Sequence, residues 1–267
     1  MKWVKFRQEG NVGWGQVCSE QGSDFIQVYT GTPFKDGCRP LQGRERLPLD
    51  TTPLLAPCAP TKIVCIGRNF GAHARELGHT APPEPMFFLK PPSALLDPGG
   101  TILLPALSQQ VEYEAELALV MRRRLSRFSA SADPSPFLLG YTCLNDVTAR
   151  DLQKRDLLFT RAKGFDTFCP LGPWVEDAPQ PGPQPWHGLQ IETRVNGELR
   201  QQGNTRDFLF SLPQLLAAVT AVMTLEPGDV LATGTPAGVS ALLPGDRVRI
   251  TVAGIGSLEN PVAAAAQ

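Results

Sequence analysis

The sequence has almost no net charge: 25 Lys and Arg stand against 26 Asp and Glu, for a formal charge of −1. Without a basic surplus there is no electrostatic footprint for nucleic acid or an anionic membrane surface. None of the six cysteines, at 18, 38, 58, 65, 143 and 169, stands three residues from another. That excludes a CxxC redox or zinc pair. In a chain this long and apolar the thiols read as reduced core residues, Cys65 within the run IVCI and Cys143 within 138–144. The N-terminal MKWVKFR lacks the apolar block of a signal peptide. The longest apolar stretch, 212–225, is interrupted by Pro213, Gln214 and two threonines and is too short to span a bilayer. A soluble, cytoplasmic protein is expected.

Hydrophobic residues make up 42% of the 267, enough for a real core, and proline accounts for 26, about twice its usual ~5%. Proline breaks helix interiors, so short strands and rigid loops are expected in place of long helices or coiled coils. Residues 1–57 read as a small β-rich domain with strands at 3–6, 15–18 and 25–29. The prolines at 48, 53, 57 and 60 read as a semi-rigid linker with no regular element. Residues 58–267 form the larger domain. Strands are expected at 63–66, 87–89, 102–104, 114–120, 138–144, 189–195, 229–232 and 247–252. Helices are expected at 70–77, capped by Asn69 and ended by Gly78, at 148–154, and at 212–222, the last apolar nearly all round and therefore buried. The terminal AAAA at 263–266 reads as frayed. Strands in runs predict a β-rich α+β fold.

The segment VEYEAELALV at 111–120 is the most unusual. On one continuous strand, Glu112, Glu114 and Glu116 share a face that continues into Ala118 and Val120. A solvated edge strand carries charge too, but usually lysine or mixed signs. At ~5 Å and an effective dielectric of ~20 each carboxylate pair repels by about 3 kcal/mol, which a divalent cation would convert into binding. Asp146, after the strand at 138–144, reads either as a helix N-cap or as a further ligand. An all-oxygen set points to a hard cation, Mg²⁺ before Zn²⁺. His73 and Glu76 are neighbours at i and i+3 on the helix at 70–77, fit for a surface ion pair or for a base with its orienting carboxylate. His79 and His187 lie in proline-rich loops and read as solvent-exposed.

Seven strings in register now carry a resemblance: KIVCIGRNFGAHARELG (62–78), EPMFFLKPPSAL (84–95), VEYEAELALVM (111–121), LLGYTCLNDVTARDLQ (138–153), RAKGFDTFCPLGPWV (161–175), TRVNGELRQQGNT (193–205) and LEPGDVLATGTPAGV (225–239). The large domain resembles the fumarylacetoacetate hydrolase family, in particular its acylpyruvase and 2-hydroxyhepta-2,4-diene-1,7-dioate isomerase-like branch. The resemblance implies a fumarylacetoacetase-like mixed β-sandwich or roll, with the first 57 residues as the small N-terminal extension many members carry. It implies a divalent ion, Mg²⁺ or Mn²⁺ with Ca²⁺ able to replace it, on Glu114, Glu116 and Asp146, with Glu112 behind them. It implies a catalytic dyad of His73 and Glu76, a catalytic Lys163 with Asp166 nearby, and substrate contacts from Arg150, Gln153 and Thr235. The implied activity is on small 2-oxo acids through a metal-held enolate, with C–C bond hydrolysis of acylpyruvates foremost. Isomerisation of a hydroxy-dienedioate or decarboxylation of an oxaloacetate-like acid, in aromatic catabolism, is the alternative. A non-catalytic metal–carboxylate binding module is the rival of another class. A homodimer is also implied.

Overall fold

The computed structural model describes every residue except 42–45, 77, 79, 178–183 and 267. Its architecture is β-rich α+β. One large sheet runs in the order Arg39–Pro40, Ser23–Thr30, Asn11–Glu20, Lys2–Gln8, Cys169–Glu176, Leu138–Asn145, Ala115–Met121, Val230–Ala232, Ile63–Gly67 and Met86–Lys90. A second sheet orders Ile102–Leu104, Gly256–Ala264, Arg247–Val252, Gln190–Val195 and Glu198–Asn204. The main core lies between them, where Leu117, Leu119 and Cys143 of the first sheet meet Ile191, Val248, Ile250 and Leu258 of the second. Ala118, Val120 and Leu144 point the other way and pack with Ile63, Cys65, Cys169 and Val230. Ala115–Met121 is therefore buried on both faces along its whole length, an interior strand rather than a charged edge.

The N-terminal strands extend this sheet directly, through Lys2 opposite Glu176 and Trp3 opposite Val175. The proline-rich segment is packed rather than a bare tether. Leu54–Leu55 pairs with Lys5 and Phe6, the Ala56 N–H donates to Asp97, and Cys58 is buried. The alanine tail is also held: Gly256–Ala264 runs parallel to Ile102–Leu104, and the Ala265 N–H reaches the Leu104 carbonyl. Both departures have one cause, non-local pairing that neither proline content nor low complexity reveals.

Helices are short, as the prolines require. Leu212–Val222 is the longest among the described residues, with a capping box of Ser211 and Gln214. Only one side is buried, through Leu212, Leu215, Leu216, Val219 and Thr220, while Val222 is exposed, so it is not enclosed all round. The second expected helix starts later: Thr148–Ala149 is a two-residue strand, and the helix is Arg150–Arg155 with Ala149 at its N-cap. The first spans Gly71–Glu76, and Leu77, its expected last residue, lies outside the described residues. Asn69 uses its side chain across the fold, donating to the Thr233 carbonyl and accepting from the Phe210 N–H. Cys58, Cys65, Cys143 and Cys169 are buried free thiols, and burial pushes Cys143 and Cys169 up to about 12, which leaves them inert.

Candidate metal centre and its cavity

The expected continuous strand of glutamates is broken. Val111–Glu112 pairs with Thr148–Ala149, and the chain re-enters the large sheet only at Ala115. Glu114 sits in that break, fixed by its own backbone. Its N–H donates to Asn145 Oδ1 at 2.9 Å, and its carbonyl accepts from the Asp146 N–H at 2.9 Å. The two stretches that carry the acids are thereby stapled side by side. Oxygens of Glu114, Glu116 and Asp146 lie within 4.8 Å of one another, all three residues buried. Asp146 is no helix cap; the helix begins four residues later.

Cations surround two of the three acids. Lys163 Nζ donates to Glu114 Oε2 at 2.8 Å and to Asp146 Oδ2 at 2.7 Å, and Arg150 Nη2 donates to Glu114 Oε1. Lys90 donates to Asp146 Oδ1 at 2.7 Å and to the Val147 carbonyl at 3.1 Å. Burial alone would raise the Glu114 carboxyl, but Lys163 and Arg150 outweigh it and hold it well below the usual carboxylate range. Lys163 is likewise buried, yet Asp146 and Glu114 keep it firmly protonated. Glu116 differs. It accepts from the Gly234 N–H at 2.7 Å and has no ion pair among the described residues. Burial, then Asp146 and Glu114, push its carboxyl well above the ordinary range. A buried carboxylate of this kind lacks a counter-cation.

That is the test of whether these residues fit the divalent ion implied by the resemblance, and they do. Three convergent carboxylates, one without a cationic partner, make a hard all-oxygen donor set that could hold a divalent ion.

The other expected site residues gather around the same cavity, about 380 Å³ in volume. Its lining includes His73, Arg150, Gln153, Lys163 and Thr235 together with the three acids. His73 is buried, with Nδ1 at 3.0 Å from Glu76 Oε2, and Glu76 Oε1 accepts from the Gly238 N–H at 2.9 Å. His73 is therefore set into the cavity wall, while Glu76 stands outside the lining on the exposed side, held by the Gly238 N–H. Arg150 also donates from Nε to Glu112 at 2.7 Å and from Nη1 to Gln153, so Glu112 stands behind the arginine. Asp166 is exposed and does not line the cavity. His187 is exposed, its N–H on the Gln184 carbonyl, and His79 lies outside the described residues.

Sequence reasoning missed Lys90, Arg68 and Gln201. Lys90 had a local signal, a charge closing the apolar strand Met86–Lys90 just before two prolines. Gln201 had none, since its partners are remote in sequence.

Residues 62–263 match the fumarylacetoacetate (FAA) hydrolase C-terminal family, and residues 1–57 match the Rv2993c-like N-terminal family. The mitochondrial oxaloacetate tautomerase of Bos taurus is 40% identical over 201 residues, covering 74% of this chain and 89% of that protein. The crystal structure of 2-hydroxyhepta-2,4-diene-1,7-dioate isomerase from Mycobacterium marinum superposes with a TM-score of 0.87 at 37% identity, covering all of both chains. Maleylpyruvate hydrolase from Sphingobium sp. SYK-6, in complex with manganese (II) ion and pyruvate, gives 0.80 at 30% identity, again covering all of both chains. With most of its length matched to that one catalytic family, the chain belongs to the fumarylacetoacetate hydrolase family.

Proposed function

We propose that this protein is a divalent-metal-dependent enzyme that acts on 2-oxo acids, with C–C bond hydrolysis of acylpyruvates as the leading reaction. One observation carries the reading: three convergent buried carboxylates and a histidine held from behind by Glu76 line one cavity. A binder of metal and carboxylate needs the first of these but not the second.

A divalent ion on Glu114, Glu116 and Asp146 supplies Lewis acidity toward the oxygens of a 2-oxo acid. With Nδ1 facing Glu76, His73 keeps Nε2 for a proton from substrate or water, and Glu76 stabilises the imidazolium that results. In hydrolysis that proton comes from the water attacking the distal carbonyl; in enolisation it comes from the carbon beside the keto group. Lys163 contributes positive charge where the oxygen of the breaking or enolising bond becomes negative. Arg150, Gln153 and Thr235 line the wall that orients the acid end.

A second reading is favoured by two further cations. Arg68 and Lys154 line the cavity and have no ion pair among the described residues. They suit a second carboxylate on the substrate. Tautomerisation or decarboxylation of oxaloacetate, or isomerisation of a hydroxy-dienedioate, uses such a diacid and the same proton-moving pair.

The test is product analysis of the Mg²⁺-loaded protein offered acetylpyruvate, oxaloacetate and a hydroxymuconate-type dienoate in parallel. Pyruvate and acetate from acetylpyruvate, lost in His73→Ala while oxalate still binds, support hydrolysis. Turnover of the diacids alone selects the second reading. No turnover of any of them, or unchanged turnover in His73→Ala, overturns the proposal.

A further inference from the structure

Gln201 lies in the strand Glu198–Asn204 of the second sheet, 1% exposed, and touches the site from behind. Its Oε1 accepts from the Ala115 N–H at 3.2 Å and from the Thr193 hydroxyl at 2.8 Å. Its Nε2 donates to Thr235 Oγ1 at 2.7 Å and to the Pro236 carbonyl at 2.6 Å. The orientation of this amide is not a matter of choice. A backbone N–H can only donate and a backbone carbonyl can only accept, so Ala115 fixes the oxygen end and Pro236 the nitrogen end.

The consequence falls on Thr235. Its Oγ1 must accept from Gln201, so its own proton points elsewhere, and Thr235 lines the cavity. The loop is packed closely against the strand Glu198–Asn204. A Cβ on Gly203 would meet Pro236 Cβ at 2.3 Å, and one on Gly238 would meet the Arg200 carbonyl at 2.7 Å. The other end of the same amide grips Ala115, the residue between Glu114 and Glu116.

We propose that Gln201 is a positioning residue that turns the Thr235 hydroxyl into an obligate donor toward the acid end of a bound 2-oxo acid, and ties that donor to the carboxylate strand. This rests on the function proposed above. Gln201 does not touch substrate; it acts through Thr235.

The test is a double-mutant cycle of Gln201→Glu and Thr235→Val, read by calorimetric binding of oxalate to the Mg²⁺-loaded protein and by the Mg²⁺-induced rise in Tm. A glutamate keeps the oxygen end and, when ionised, cannot donate, so the Thr235 proton is drawn inward to it. Each single variant should weaken oxalate about tenfold, the worth of one hydrogen bond to a charged group, and the double variant no more than either. The Mg²⁺ shift should persist, and KM for the turned-over 2-oxo acid should rise more than kcat falls. If Gln201→Glu does not fold, Gln201→Met enters the same cycle, with a smaller loss that should vanish in the Thr235→Val background. Oxalate affinity within twofold of wild type, effects that multiply in the double variant, or loss of the Mg²⁺ shift in Gln201→Glu would overturn the assignment. If the wild-type protein itself does not bind oxalate, the functional reading fails first and takes this one with it.

Discussion

Glu116→Gln should have opposite effects on stability with and without the divalent ion. Four acids, Glu112, Glu114, Glu116 and Asp146, face three cations, Lys90, Arg150 and Lys163, in the buried cluster. Among the described residues, Glu116 is the member without an ion pair. With partner oxygens within 4.8 Å and an effective dielectric of ~20, each neighbouring carboxylate repels it by about 3 kcal/mol, an upper bound that protonation relieves. Glutamine keeps the length and an oxygen for the Gly234 N–H but carries no charge. In EDTA at pH 8 the variant should therefore be more stable than wild type by roughly 1–2 kcal/mol. Mg²⁺ at a hundred times its Kd should stabilise the wild-type protein by about 2.7 kcal/mol, a rise of roughly 5–10 °C in Tm for a chain of this size. The variant should gain almost none of that. Differential scanning fluorimetry in paired EDTA and Mg²⁺ buffers gives all four values, and the order of the two proteins should invert between buffers. The same order in both, or an equal Mg²⁺ shift, would refute the reasoning and move the ion away from Glu116.

Two further perturbations test the frame around the site. Asp229 is fully buried and accepts from the Thr61 N–H and hydroxyl, each at 2.8 Å, the Lys62 N–H at 3.1 Å and the Glu226 N–H at 2.8 Å, with Lys62 Nζ alongside. Asp229→Ala should cost about 3–5 kcal/mol at pH 7. Burial opposes ionisation of Asp229, but the Glu226 N–H, Lys62 and Thr61 hold its carboxyl below the usual range. Its contribution is therefore complete above the unfolded value of ~3.9 and lost as pH falls through the folded value. The gap between wild type and variant in thermal melts should shrink only below about pH 4, and a constant gap down to pH 2 would count against it. Lys90→Met removes the buried ammonium from Asp146 Oδ1 and the Val147 carbonyl. It should lower the urea midpoint by an amount worth about 3 kcal/mol at unchanged m, whereas a loss below ~1 kcal/mol would show that Lys90 is dispensable for holding Asp146.

Much of the strand layout is legible from short-range pattern. Ile102–Leu104, Leu212–Val222 and Arg247–Val252 have the bounds expected from their apolar runs. Three of the longer strands escaped notice, each for a physical reason. Cys169–Glu176 carries Pro170, Gly172 and Pro173, which interrupt any periodic signal. Glu198–Asn204 is polar along most of its length, and its one fully buried residue is a glutamine. Gly256–Ala264 follows the turn at Gly254 and ends in low-complexity alanine, yet it is paired on both sides. The site divides the same way. His73 with Glu76, and Glu114 with Glu116, are close in sequence and visible there. Lys90 meets Asp146 across 56 residues and Gln201 meets Thr235 across 34, so only the fold brings them together.

The carboxylates also converge for a different reason than strand alternation. Alternation places Glu112, Glu114 and Glu116 in one row, but Glu112 belongs to a separate two-stranded sheet, the large sheet begins only at Ala115, and Glu112 faces Arg150. Glu114 joins Asp146 because its backbone is clamped to Asn145 and Asp146 by two hydrogen bonds, not because of where a pleat would aim it. Glu116 arrives from the regular strand, opposite Leu144 in register. One carboxylate is thus set by sheet geometry and two by a local staple between segments about 30 residues apart. The fold itself holds the three acids together, because moving Glu114 would break backbone bonds in a buried region. Three buried acids can be held this close only because Lys90, Lys163 and Arg150 cancel most of their charge. Glu116, the acid with no ion pair among the described residues, is the one whose ionised form a divalent cation would favour.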